Sequence, residues 1–116
     1  MWAASISKGM LKISKGNLLD NIPVHFEKEI FDILAESPGL SIKRVLSQGQ
    51  VTDWLKEDMN EWVVLFSGSA KLLFEDGGCE VEMRSGDHLC IPAGCRHRVS
   101  WTDPRQKTVW LAVHYK

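Results

Sequence analysis

From residue 40 onward, short apolar-rich segments alternate with turn signals. Leu40–Gln48, Glu61–Phe66, Ala70–Glu75, Cys79–Met83, His88–Ile91, Arg96–Trp101 and Thr108–Tyr115 each read as a strand. They are separated by Ser67-Gly68, Asp76-Gly77-Gly78, Ser85-Gly86-Asp87, Ala93-Gly94 and Thr102-Asp103-Pro104, of which the second is a strong hairpin signal. Seven short strands at this spacing predict an antiparallel sandwich or barrel. No crossover helices alternate with them, which argues against a parallel α/β sheet. Upstream, Phe26, Ile30, Ile33 and Leu34 recur at the spacing of one helical face. The pattern therefore predicts a short N-terminal helix over His25–Glu36, entered near Pro23, stopped by Ser37-Pro38-Gly39 and flanking the sheet. Residues 10–24 read as irregular, with Gly16, Asn21 and Pro23 as breakers. The expected organisation is an extension with its helix over 1–39 and a mostly β barrel over 40–116, forming one structural domain.

Composition changes this picture little. The 116 residues are 44% hydrophobic and 25% charged, ordinary for a globular domain. A formal net charge of −1 gives nucleic-acid binding no electrostatic support. The longest uninterrupted apolar runs, Trp62–Phe66 among them, are far too short to span a bilayer, so no membrane partner is expected. No apolar stretch follows Lys8, so no signal peptide is expected, and Met10 as an alternative start would make Met1–Gly9 an extension. Cys79, Cys90 and Cys95 form no C-x-x-C pair, which points to small buried hydrophobes in a reduced, cytoplasmic setting. There is no nucleophile-elbow spacing around Ser67 and Ser69, and Gly77-Gly78 lacks the frame of a phosphate loop.

The candidate chemistry lies in Gly86-x5-Pro92-x-Gly94-x2-His97. Gly86 permits a turn, Pro92 ends a ladder because it has no N–H, and Gly94 lets the chain reverse so that His97 enters the next strand. This frame resembles the second conserved motif of the cupin superfamily, in which that histidine ligates a metal. Upstream, the family's G-x5-H-x-H-x3-E-x6-G motif fits without a gap on Gly49, Glu61 and Gly68, with Leu55 and Glu57 at the two histidine positions. Asn60-Glu61-Trp62-Val63, Ile91-Pro92-Ala93 and Trp110–Tyr115 are also similar to a group of small single-domain bacterial cupins.

The resemblance implies a mostly β, antiparallel double-stranded β-helix, or jelly roll, with a small-molecule ligand in its pocket. It also implies a homodimer and a divalent metal (Mn, Fe, Ni or Zn) held by His97, Glu61 and Glu57. Strand parity adds three pocket candidates. Leu55 shares parity with Glu57 and Glu61, and Trp101 with His97 and Val99. His114 shares a face with Trp110 and Ala112 and offers a second imidazole, although the pattern leaves open which face of that strand lines the barrel. Trp62, opposite in parity to Glu61, is expected on the outer face. So are Arg96 and Arg98, with Asp87 and Asp103 as candidate partners. His25 and His88 read as surface or packing residues.

Other readings of the same residues remain. Glu61 pairs with an arginine at the barrel mouth; His97 is a core histidine bonded to a carbonyl; Lys56-Glu57-Asp58 is a solvated loop; and the indoles fill sheet interfaces. Three functions follow: a binding barrel, a metal-dependent enzyme of oxygenase or isomerase type acting on a small metabolite, and a homodimer with a vestigial site.

Overall fold

The computed structural model describes residues 3–8 and 11–116. Ten strands follow in order: β1 (Ala3–Lys8), β2 (Leu11–Gly16), β3 (Ile30–Ser37), β4 (Leu40–Ser47), β5 (Asn60–Ser67), β6 (Ser69–Phe74), β7 (Cys79–Arg84), β8 (His88–Ile91), β9 (His97–Thr102) and β10 (Thr108–Tyr115). One 3-10 turn, Asp76–Gly78, joins β6 to β7, and there is no α-helix among the described residues. β1 and β2 pair with each other. The remaining strands form two antiparallel sheets, ordered β3-β4-β10-β5-β8 and β7-β6-β9. Their facing sides share one core, in which Val63, Leu65, Ile91, Trp110 and Ala112 of the larger sheet meet Ala70, Leu72 and Met83 of the smaller. Complete burial of an aliphatic side chain such as Leu65 contributes about 1.5–3 kcal/mol.

The helix expected over His25–Glu36 does not form. Ile30–Ser37 is instead a strand at the edge of the larger sheet, so the sheet begins before residue 40. Pro38 and Gly39, the latter at φ +76°, make a two-residue hairpin corner that pairs Ser37 with Leu40. Without β3, β4 would leave one row of backbone groups unpaired, and cross-strand pairing overrides a weak helical periodicity. An irregularity between Ile33 and Ala35 shifts the register around Leu34, which hides the two-residue alternation of a strand. Leu11–Gly16, within the stretch expected to be irregular, is also a strand.

Two local features fix the frame. Gly68 turns β5 into β6 at φ +112°, and a Cβ there would lie 2.5 Å from Thr108 Oγ1 and 2.6 Å from Thr108 Cα, so the corner accepts no side chain. On the outer face of β4, Arg44 is 2% exposed and pairs with Asp32 at 2.8 Å. Its guanidinium also donates to the carbonyls of Leu18, Asp20 and Asn21, which ties the preceding segment to the sheet.

Candidate functional site

The inner face of the larger sheet lines a cavity of about 320 Å³. Trp110, Ala112 and His114 of β10 face it, with Lys43 and Val45 of β4, Glu61 and Val63 of β5, and His97 and Val99 of β9. The inner face of β10 is therefore the one carrying His114, and Trp62 falls on the outer face, with its ring 5.8 Å from that of His88.

The connection between β4 and β5 crosses one end of the cavity. It is held along β9 by Thr52 N–H to the Val99 carbonyl at 3.0 Å, by reciprocal Leu55–His97 backbone bonds at 2.6 and 2.9 Å, and by Gly94 N–H to the Glu57 carbonyl at 2.8 Å. Leu55, pinned beside His97, lines the cavity, and Glu57 reaches it two residues on. β5 and β10 run antiparallel, with Glu61 opposite His114.

Glu57, Glu61 and His114 thus come together, each offering a ligand atom within 4.8 Å of the others. His114 Nε2 lies 2.9 Å from Glu57 Oε2 and 3.7 Å from Glu61 Oε2. Neither contact is aligned as a hydrogen bond, and both ring nitrogens of His114 are buried without a hydrogen-bond partner. A buried polar atom left bare is costly, and one imidazole nitrogen with two carboxylate oxygens is a donor set that a divalent cation completes. The residues present therefore fit a metal.

His97 stands on the far side of Glu61, with Nε2 3.6 Å from Glu61 Oε1, outside the group of three. It is 4% exposed, its Nδ1–H donates to the Cys95 carbonyl at 3.0 Å, and its ring stacks on Phe74 with centroids 5.9 Å apart. The Glu61 carboxylate is the main cause raising the His97 pKa above its ordinary value; burial acts in the opposite direction.

Of the metal residues predicted from sequence, Glu57 and Glu61 meet with His114, which the sequence offered as a pocket residue and as a second imidazole, whereas His97 lies outside that group. Trp101 is not in the cavity. The register shifts between Lys71 and Leu72, so that Val99 pairs with Leu72 but Trp101 with Lys71, leaving Ser100 as the extra residue. This bulge turns Trp101 to the outer face, 37% exposed, beneath the Lys71 ammonium at 5.7 Å. The arginines also differ from expectation: Arg96 pairs with Glu75 at 2.9 Å and lies over Trp54, while Asp87 and Asp103 accept bonds from backbone N–H groups of Arg84 and Arg105. Sequence reasoning missed Lys43 and Glu29 as cavity residues and took Trp110 as packing. Once His114 is known to face inward, alternation along β10 brings Trp110 in with it.

The family model described as the cupin domain matches residues 44–114. The chain belongs to the cupin family. The cupin is similar to a candidate mannose-6-phosphate isomerase from Ralstonia eutropha JMP134, at 46% identity and TM-score 0.85 over 88% of this chain and 97% of that one. Two other solved structures share the fold. One is a cupin superfamily protein of Desulfitobacterium hafniense DCB-2, at 16% identity and TM-score 0.73 over 87% and 90% of the two chains. The other is the Cnp3 cupin domain of Schizosaccharomyces pombe, at 11% identity and TM-score 0.74 over 98% and 82%. No functionally curated protein matches the cupin. No helix among its described residues is long and apolar enough to cross a membrane.

Proposed function

We propose that this cupin binds a small oxygenated metabolite in its cavity, beside a divalent cation held by Glu57, Glu61 and His114. The observation that carries this reading is His114, whose ring nitrogens are buried without a hydrogen-bond partner while its Nε2 lies 2.9 and 3.7 Å from two carboxylates. Two oxygens and one nitrogen make a hard donor set, which suits manganese or iron better than nickel or zinc. A cation there supplies Lewis acidity to a carbonyl or hydroxyl oxygen of the ligand. The chain's own residues do the rest. Val45, Val63, Leu72, Ile91 and Val99 make an apolar wall that excludes water, and His97 holds Glu61 in place.

A second reading, isomerisation of a phosphorylated sugar, is favoured by the 46% identity to the candidate mannose-6-phosphate isomerase, nearly all of which is covered. Aldose–ketose exchange needs a base at the carbon next to the carbonyl, and in this reading Glu57 or Glu61 takes that role in place of holding a cation.

Elemental analysis of protein purified without an affinity tag and incubated with manganese tests the first reading. About one equivalent should be retained, and His114→Ala should lose it. Retention below about a tenth of an equivalent in the wild-type protein overturns cation binding. Conversion of mannose 6-phosphate to its ketose by the metal-free protein, absent in Glu61→Gln, tests the second.

A further inference from the structure

The cavity holds two donors that the cation group does not use. Lys43 lines it, and among the described residues its ammonium makes no ion pair and no side-chain hydrogen bond. Trp110 lines it as well, is 4% exposed, and keeps its Nε1 buried without a hydrogen-bond partner. An ammonium and an indole N–H both donate and cannot accept, so they cannot satisfy each other. What both lack is an acceptor, and for Lys43 an anionic one.

The register places them side by side. Lys43 faces Ala112 and Val45 faces Trp110 across β4 and β10, so Lys43 and Trp110 are diagonal neighbours on the inner face. Such positions lie roughly 7–8 Å apart at the backbone, within reach of two long side chains converging on one group. Ser41 faces His114 one step along, so Lys43 is also the diagonal neighbour of His114 and stands between the cation group and the indole. The remaining cavity carboxylate outside the cation group, Glu29, accepts a bond from the Ser47 hydroxyl at 2.7 Å and makes no ion pair with Lys43.

We propose that Lys43 and Trp110 form an oxyanion subsite, which receives a carboxylate or phosphate of the ligand while the rest of that molecule faces Glu57, Glu61 and His114. The proposal rests on the ligand-binding reading above and names the chemical class of the ligand: a small anion with a second, oxygen-bearing end.

Calorimetric titration of the manganese-incubated protein with mannose 6-phosphate, mannonate and mannose tests it, the first two separating phosphate from carboxylate. At least one anion should bind with Kd below about 1 mM, and mannose about tenfold or more weaker. Lys43→Met should weaken the anion by about 10- to 100-fold, the loss expected for a charge-assisted hydrogen bond, and leave manganese content and mannose binding unchanged. Lys43→Arg should restore most of the affinity. Trp110→Phe, which keeps the ring and removes the N–H, should weaken the same anion by about 3- to 10-fold. The proposal is overturned if neither anion saturates, if Lys43→Met binds as the wild type does, or if that variant loses mannose and anion alike. Should the wild type retain no manganese, the cation reading fails alone, because the same titrations of the metal-free protein still decide the subsite.

Discussion

The larger sheet carries a cluster of charged and titratable side chains on each face, and the two are built differently. On the outer face, Arg44 is closed: Nε and Nη2 reach Asp32 at 3.0 and 2.8 Å, and the other donors reach three backbone carbonyls. On the inner face, the group of Glu57, Glu61 and His114 is open, with both imidazole nitrogens bare. Both clusters carry a cost of desolvation. The first recovers it from within the chain and fastens the segment before β3 onto β4. The second leaves it unrecovered, which agrees with the cation site proposed there.

The comparison can be broken by substitution, and the largest effect belongs to the closed cluster. Arg44→Ala strands Asp32 and three carbonyls and should cost about 3–5 kcal/mol by denaturant titration. Adding Asp32→Asn should recover part of that loss; no recovery would mean that the charge pair is not the source of it.

The open cluster should respond with the opposite sign. His114→Leu removes two bare nitrogens and should stabilise the metal-free protein by about 1–3 kcal/mol while abolishing manganese retention. A destabilised variant would place His114 among the structural residues. Wild-type protein should in turn gain Tm with added manganese, and His114→Leu should not.

The smallest effect is expected at Glu29, whose pKa is raised by burial, with the Ser47 bond acting against the shift. A raised carboxyl pKa means that the folded state holds the proton more tightly. Its ionised form therefore costs stability above the folded pKa, and the cost fades as pH falls through that value toward the ordinary carboxylate range. Glu29→Gln keeps an acceptor for Ser47 and should raise stability at neutral pH by less than about 1 kcal/mol, with no gain near about pH 4. A gain of equal size at both pH values would separate Glu29 from this titration.

What the sequence revealed, and what it hid, follows the physics of pairing. Turns are written locally, so Gly68, Gly86 and Gly94, all at positive φ, marked their corners, and Gly49, Glu61, Gly68 and His97 carried the family frame. Bulges are not written locally, because they arise where two strands with unequal numbers of residues meet. The shift near Leu34 made β3 resemble a helix, and the one at Ser100 sent Trp101 to the wrong face. The cation group was half legible: Glu57 and Glu61 lie four residues apart in one motif, whereas His114 joins them only through the β5–β10 register. Lys43 left no trace in the sequence, since nothing near it distinguishes a cavity lysine from a solvated one.

The division of the cation group between strands and loop bears on time as well as affinity. Glu61 and His114 ride on neighbouring central strands, but Glu57 rides on a connection attached to β9 by a few backbone bonds. Local opening of that connection withdraws one carboxylate and leaves both sheets intact. The residence time of a cation held as proposed would then be set by how often residues 52–57 detach from β9, and slower amide exchange at Leu55 on adding manganese would report it directly.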